Sequence, residues 1–485
     1  MARSSLILAI LLLPVSLTNA QDTPGRWSKE TAAVWYKGQP WLVGCNFIPS
    51  TAINQLEMWQ ADTFDVKTID RELGWAQDLG FTSVRVFLHD LPWQQDAKGF
   101  ARRIESFLDI AHNHKIRVMF VLLDSCWHPE PKLGKQPEPK PHLHNSGWVQ
   151  SPGVAVLKDA QKWKEMEGYV KGVLSRFKTD RRILAWDLWN EPENNNASSY
   201  GKLDIANKEK VVLPLVKQVF AWARGVNPSQ PITAAPWSGD WSVEEKLSPL
   251  NRFLFESSDI ITFHRYENLD RTKKSVESLK RYGRPILCTE YMARPVGSTF
   301  EAILPYFKKE NVAAYCWGFV AGKTQTIYPW DSWKKKYEAE PELWFHDILR
   351  GNGKPYKEKE VKLIKQLTGR AIEVKLHFSV DELDPSKPGE SYLECKSFNG
   401  TDKAVHVPTV YAGGFEGDMS LKTIGRYDFH LVVWAGKAKQ ETKLLKPGEQ
   451  IIVFKDSLAS VLLLSMDKDT PLKPNQERYY WTCSA

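Results

Sequence analysis

The stretch ILAWDLWNEPENN, residues 183–195, decides the fold. From Ile183 to Leu188 it is a short and almost continuous apolar run, which is typical of a strand buried on both faces of a parallel sheet. Pro192 then removes a backbone donor and forces the chain out of the sheet. Glu191 is therefore expected at the carboxyl end of a core strand, where parallel α/β proteins bind their ligands.

Seven further apolar segments recur along the chain, and helical patterns alternate with them. Between the second and third segments, Ile104, Phe107 and Ala111 follow the spacing of an amphipathic helix. This alternation is typical of βα units in a parallel sheet. Eight such units predict an α/β protein with a (β/α)8 TIM barrel over residues 27–368. The other seven segments are WLVGCNF (41–47), FTSVRVFL (81–88), IRVMFVLL (116–123), PITAAPW (231–237), DIITFHRY (259–266), RPILCTEY (284–291) and VAAYCWGF (312–319).

The pattern changes after about residue 370. AIEVKLHFSV alternates strictly between apolar and polar residues, and further short β-like runs follow, separated by turn signals such as Lys446-Pro447-Gly448. We therefore expect a C-terminal antiparallel β-sandwich over residues 371–485. The six cysteines form no CxxC pair, and burial as thiols competes with disulfide formation. If a disulfide exists, Cys395 and Cys483 are the first choice.

Residues 1–20 have the features of a cleavable secretory signal, namely an early Arg, a short apolar core and small residues before Ala20. The protein is therefore expected to be secreted or periplasmic. No later segment is long and apolar enough to predict a membrane span. A formal net charge of +7 over 485 residues gives no electrostatic case for nucleic acid as a partner. The oligomeric state stays open.

Two glutamates follow strands that lie on different sides of the predicted barrel. Glu191 follows the fourth strand, and Glu290 follows the seventh, 99 residues later, which fits three βα units. A lone Glu at a strand end is usually a solvated charge, but these two should face each other across the barrel mouth. Paired carboxylates that flank a glycosidic bond are the apparatus of glycoside hydrolysis.

Side-chain alternation places further polar groups beside these acids. Val84 and Val86 should pack on the helices, so Arg85 must point into the barrel, where Glu290 is its natural partner. That pairing should keep Glu290 ionised. His264 and Tyr266 lie two residues apart and should both point into the mouth. Tyr266 could donate to Glu290 and His264 could contact a sugar or the acid, although either could instead be a core residue.

The chain contains twenty Trp residues, whose broad rings can stack on sugars as well as fill a core. Trp317, on the eighth strand, should form the floor of the site with Tyr315 below it, and Trp237, after the fifth strand, is a further sugar-binding candidate. The same alternation turns Cys316 outward and places Cys288 on the inward face with Glu290.

A long insertion, residues 124–153, follows the third strand. Its many Pro and Gly residues exclude regular structure, and long ordered loops in compact domains are usually functional, so we expect it to wall one side of the site; the alternative is a mobile surface loop. His142-x-His144 and His112-x-His114 lack the carboxylate or thiolate neighbours of a metal site. No glycine-rich phosphate loop follows any strand. The sequence therefore predicts no metal and no cofactor.

The motifs WNEP, TEY, VRVF and HRY, together with the strand-eight Trp, resemble those of clan A retaining glycosidases, in particular cellulase-like glycoside hydrolase family 5. The resemblance covers roughly residues 27–368. It implies that Glu191 is the general acid/base and Glu290 the nucleophile, and that Asn190 contacts the sugar 2-hydroxyl. It gives supporting roles to Arg85, His264, Tyr266 and Trp317.

The third strand departs from that family pattern. Members often have a His-Asn pair at its end, whereas LLDSCWH offers Asp124, Trp127 and His128 as candidate substrate-binding residues. The segments GWVQSP and KTQTIYPWDSWKKKY also match no characterised subfamily. These departures concern the sugar that is bound and leave the predicted chemistry unchanged.

The sequence as a whole predicts a secreted retaining glycoside hydrolase that cleaves a plant-type polysaccharide or oligosaccharide by double displacement. Its two carboxyl groups should then lie about 5 to 5.5 Å apart. The alternatives are a transglycosylase, which would use the same residues, and a non-catalytic carbohydrate-binding protein. An open cleft would indicate endo action and a closed pocket exo action, and residues 124–153 should decide between them.

Overall fold

The computed structural model describes residues 25–369 in full and, after them, only the backbones of strands between residues 372 and 484. Eight parallel strands form one sheet in the order β5-β4-β3-β2-β1-β8-β7-β6. The sheet closes between β5 and β6, where the Asp259 amide donates to the Ile232 carbonyl (2.9 Å). The predicted (β/α)8 barrel is confirmed. The strands are β1 (Val43–Asn46), β2 (Ser83–Phe87), β3 (Arg117–Asp124), β4 (Ile183–Asn190), β5 (Ile232–Ala235), β6 (Ile261–His264), β7 (Ile286–Tyr291) and β8 (Ala313–Cys316).

Helices surround the barrel, and local sequence sets their ends. In α3, the Asp65 side chain accepts from the Thr68 amide at the start, and Gly80 lies just past the end with φ +78°, a conformation that favours glycine. The predicted amphipathic pattern at residues 104–111 lies within α4. The helices are α1 (Lys29–Lys37), α2 (Gln55–Trp59), α3 (Val66–Asp78), α4 (Asp90–Asn113), α5 (Val154–Leu157), α6 (Trp163–Phe177), α7 (Lys208–Val226), α8 (Pro249–Ser257), α9 (Leu269–Lys280), α10 (Phe300–Lys309) and α11 (Glu358–Thr368).

Within the described residues, apolar side chains pack both outside and inside the barrel. The larger cluster, which forms the outer layer, lies between the strands and the helices, and a smaller one, which includes Met119, Leu287 and Tyr315, fills the barrel interior. Cys316 lies in the outer layer, as predicted, but so does Cys288, so the inward placement of Cys288 was wrong. The reason is an irregular register, in which successive residues of β6 pair with Cys288 and then with Glu290, so that strict alternation fails in β7. Both cysteines are free thiols.

Three predictions fall beyond the described residues. The signal sequence of residues 1–20 lies outside them, and so do the side chains of Cys395 and Cys483. The packing of the C-terminal strands also lies outside them, so the β-sandwich of residues 371–485 stays a prediction. Among the described residues, no helix combines the length and apolar character that crossing a membrane requires. The strand backbones are Ile372–Val380, Tyr392–Ser397, Val405–Pro408, Phe415–Thr423, Tyr427–Val432, Glu441–Leu445, Gln450–Val453, Leu462–Met466 and Tyr479–Ser484.

Candidate active site

Glu191 leaves the end of β4 in a conformation that turns its side chain into the barrel mouth. Its φ is +48°, in the left-handed region, and its amide donates to the Ala235 carbonyl (3.0 Å). For a residue with a Cβ this conformation costs about 1 to 2 kcal/mol, so the surrounding structure must hold it in place. The side chain is buried. Local strain at this position is therefore used to aim a carboxyl group.

Glu290, at the end of β7, meets Glu191 in the mouth as predicted. One oxygen of each carboxyl group and a ring nitrogen of His264 all lie within 4.8 Å of one another. His264 Nδ1 is 2.6 Å from Glu191 Oε1 and 3.5 Å from Glu290 Oε2. This upper limit for one oxygen pair is compatible with the about 5 to 5.5 Å between the carboxyl groups of retaining glycosidases and lies below the roughly 6.5–9.5 Å of inverting ones.

Arg85 pairs with Glu290 as predicted, but it cannot also contact a sugar. Its Nη1 donates to Glu290 Oε1 (2.9 Å) and Asn46 Oδ1 (2.8 Å), and its Nη2 donates to Asn190 Oδ1 (2.7 Å) and Asp187 Oδ2 (2.8 Å). Nε donates to the same Asp187 oxygen (3.0 Å). All five N–H groups are thus used, and the side chain is fully buried. The supporting role of Arg85 is therefore to hold the acids rather than to bind the substrate.

The charge of Glu290 is less firmly fixed than the sequence suggested. Tyr266 donates to Glu290 Oε2 (2.8 Å), as predicted, and Arg85 holds Oε1. Burial nevertheless raises the pKa of Glu290 to about 7. Arg85 alone does not keep it ionised, because the guanidinium is shared with the buried carboxylate of Asp187.

Glu191 is held by different donors. Asn194 Nδ2 and the Cys126 thiol both donate to its Oε2, at 2.7 and 3.1 Å. Burial is the main cause that raises the pKa of Glu191, to about 7. Burial also lowers the pKa of His264 to about 3, so this ring is neutral at neutral pH. The two adjacent carboxyl groups are therefore expected to share one proton near neutrality.

Two of the candidates at the end of β3 and just beyond it do not reach the cavity. Asp124 is buried behind Asn190, whose amide donates to it (2.9 Å), and it also accepts from the indole of Trp148 (2.7 Å). The His128 ring packs on Tyr200 and accepts from the Glu130 amide (3.1 Å). Both were wrongly predicted to bind substrate. Asp124 instead fixes the side-chain amide of Asn190. His128 pairs with Val149 through the backbone, and this pairing holds the loop where the neighbouring Trp127 lines the cavity.

A cavity of about 290 Å³ opens above the two acids. Its volume lies near the lower end of the ~300–1,000 Å³ range of small-molecule sites. Predicted residues at its surface include Asn190, Trp127, Trp237, Tyr266 and Trp317, whereas His264 lies behind the acids. The insertion after β3 forms part of the wall, as expected. The full lining is Cys126, Trp127, His144, Asn145, Asn190, Glu191, Asn194, Asn195, Asn196, Ala197, Ser198, Trp237, Tyr266, Glu290, Trp317 and Trp330.

Comparison with known families matches residues 50–338 to the family model described as cellulase (glycosyl hydrolase family 5). The chain belongs to glycosyl hydrolase family 5. It is therefore an O-glycosyl hydrolase with the clan A (β/α)8 barrel, and a carbohydrate substrate fits this family. A comparison with curated proteins found no match.

Solved structures also match this family 5 chain, at low identity. The exo-beta-1,4-mannosidase Op5Man5 from Opitutaceae bacterium strain TAV5 is 18% identical, with 67% of this chain and 59% of that one covered and a TM-score of 0.45. The chain thus spans less than two thirds of that protein. The hyperthermostable endo-1,4-beta-D-mannanase from Thermotoga petrophila RKU-1 is 14% identical, with 67% and 99% covered and a TM-score of 0.43.

Several residues of the family 5 site were not predicted from the sequence. Asp187 interrupts the apolar run of β4, and Asn46 ends β1. Each could have been recognised in the sequence as a polar residue at a buried or strand-end position. No sequence pattern points to Cys126 or Asn194, because they lie in loops that turn back toward Glu191. Trp330 lies far along the chain after β8, and only the folded loop brings it to the cavity, where its ring packs on Tyr266 (5.1 Å between centroids).

Proposed function

We propose that this family 5 enzyme is a secreted retaining glycosidase that acts on a plant-type polysaccharide or oligosaccharide by double displacement. The observation that carries the proposal is the approach of the Glu191 and Glu290 carboxyl groups within 4.8 Å, each with its own set of donors. A buried pair that shares one proton supplies both an acid and a nucleophile at the same pH. Secretion rests on the signal predicted for residues 1–20.

In the first step, Glu290 attacks the anomeric carbon and the glycosidic C–O bond breaks. Oε1 is fixed by Arg85, so Oε2, which Tyr266 holds at the cavity, is the attacking oxygen. Glu191 gives its proton to the departing oxygen. In the second step, Glu191 takes a proton from water, which attacks the same carbon and releases Glu290.

The stereochemistry of the product tests this proposal. The enzyme should first be assayed on a panel of nitrophenyl glycosides and plant polysaccharides to find a cleaved substrate. Proton NMR of the early reaction should then show a product with the anomeric configuration of the substrate, because two displacements restore it. An inverted first product would contradict the assignment of Glu290 as nucleophile. Added acceptor sugar separates hydrolysis from transglycosylation, since only the latter gives mainly transfer product.

Cys126 provides a test of the acid. Burial raises the pKa of Cys126, so it is a neutral thiol that donates to Glu191 and stabilises the ionised carboxylate. Cys126→Ala removes this donor, which should raise the pKa of Glu191. The basic limb of the pH profile, where kcat/KM falls as Glu191 loses its proton, should then move to higher pH by about half a unit. Cys126→Ser should restore it, and Cys45→Ala, a buried thiol in the outer layer, should leave it in place. An unmoved limb in Cys126→Ala would exclude this contact from the control of the acid.

A further inference from the structure

Two loops that are far apart in sequence lock together over the barrel mouth. We call residues 125–153 the β3 loop and residues 317–357 the β8 loop. His144 lies at their junction: its amide donates to Ser332 Oγ (3.1 Å), its Nδ1 donates to the Tyr328 carbonyl (2.7 Å), and its carbonyl accepts from Trp333 Nε1 (2.9 Å). The backbone amide of Asn145 donates to the Thr324 carbonyl (2.9 Å).

Further contacts extend the junction. Gln325 accepts from the His142 amide (2.8 Å) and donates to the carbonyls of Lys140 (2.6 Å) and Leu143 (3.2 Å). In the sheet, β1 and β2 lie between β3 and β8. The β3 loop and the β8 loop therefore meet above these two strands and cover the half of the mouth formed by β3, β2, β1 and β8. The segment after β1 joins them, since the Lys323 amide donates to the Ser50 carbonyl (3.0 Å). One half of the barrel mouth is therefore roofed.

The exposure of the cavity wall changes from one side to the other. His144 and Asn145, under the roof, are 0% and 1% exposed. Asn195, Ala197 and Ser198, which follow Glu191, are exposed. A second cavity of about 460 Å³ lies on the far side of the junction and shares no lining residue with the first. The locked loops thus form a wall between the two, and the catalytic cavity opens on the side of residues 194–198.

The closed end contains polar atoms without a partner in the protein. They are His144 Nε2 and both amide atoms of Asn145, all buried. Because His144 Nδ1 donates to a carbonyl and burial lowers the pKa of this ring to about 4, Nε2 is a free acceptor. Buried polar groups in native proteins are normally paired, so these atoms fit a ligand that brings hydroxyl groups. Trp127, beside His144, adds an apolar ring face (5.5 Å between centroids).

We infer that this enzyme acts from the chain end, removing the non-reducing terminal sugar, whose outer hydroxyls bind His144 and Asn145 at the closed end of the cavity. The inference rests on the proposed function. Glu191 protonates the leaving oxygen, and the residues that follow it line the open side, so the leaving chain exits there. The sugar attacked by Glu290 must then lie under the roof, where an extended chain has no room to continue.

Product analysis on the wild-type enzyme tests this inference. The substrates are oligosaccharides and the polysaccharide of the sugar found in the glycoside panel, together with the same oligosaccharides methylated at the terminal non-reducing hydroxyls. The expected products are monosaccharide alone from the first time points, with little fall in polysaccharide viscosity and no cleavage of the methylated substrates. Early release of mid-length fragments, or cleavage of methylated substrates, would overturn chain-end action while leaving retention intact. An inverted product, by contrast, would overturn the proposed function.

A matched pair of variants tests the residues at the closed end. Asn145 has φ +48°, a conformation that glycine adopts freely, so Asn145→Gly removes the side-chain amide without adding backbone strain. It should lower kcat/KM for the nitrophenyl glycoside about tenfold or more, mainly through KM, because hydroxyl contacts are lost. Asn311→Gly is the control, since Asn311 has φ +52° and is exposed away from the cavity. Equal kinetics for the two variants would exclude Asn145 from the site.

Discussion

Replacing Glu290 with alanine is expected to lower kcat by at least about 10⁴-fold, because among the described residues the only other carboxyl group that lines the cavity is Glu191, which serves as the acid. The fold should survive. Arg85 keeps its bonds to Asp187, Asn190 and Asn46 when the Glu290 carboxylate is lost, so no unpaired buried charge remains. The measurements are steady-state kinetics on the best nitrophenyl glycoside and thermal unfolding by circular dichroism.

Two controls separate chemistry from stability in this experiment. Glu72→Gln neutralises another fully buried Glu, which binds Ser50 and does not line the cavity, and it should change the unfolding temperature more than kcat. The space left in Glu290→Ala should also admit azide, which can attack from the vacated face and give a glycosyl azide of inverted configuration. Near wild-type turnover in Glu290→Ala would show that the nucleophile lies elsewhere.

The sequence located the two acids because the signals that place them are local. Apolar runs and Pro192 mark the strand ends, and a barrel brings all such ends to one face. Regular alternation in β2 was enough to turn Arg85 inward and to pair it with Glu290. Regular alternation failed for Cys288, because an irregular register near the end of β7 changes which side of the sheet its side chains point to. This irregularity leaves no pattern in the sequence.

The rest of the site depends on contacts between distant segments. Asp124 and His128 were predicted to bind substrate because they lie at the end of β3 and just beyond it, but the direction of each is set by partners such as Asn190 and Val149. The roof over the cavity joins residues near 144 to residues near 332. Hydrogen bonds across such separations have no sequence period, so only the folded chain reveals which end of the cavity is closed.

Replacing Glu191 with alanine should have the second largest effect, and its size should depend on the leaving group. An alcohol leaving group needs protonation, so kcat/KM on an oligosaccharide should fall by about 10²–10⁴-fold. Nitrophenolate departs without a proton, so kcat/KM for the nitrophenyl glycoside should fall far less. The basic limb of the pH profile should disappear, because the group whose ionisation causes it is gone. Equal losses on both substrates would contradict the role of Glu191 as acid.

The neighbouring Glu193 is the sharpest control, because the NEPE motif offers two glutamates. Burial raises the pKa of Glu193 to about 8, so it too carries a proton at neutral pH and could in principle serve as the acid. Its Oε1, however, accepts from the Ser238 amide (2.9 Å), and its side chain does not line the cavity. Glu193→Gln keeps the shape of the protonated group, so it should retain both the oligosaccharide activity and the basic limb. If Glu193→Gln lost them and Glu191→Ala did not, the acid would be the second glutamate of the motif.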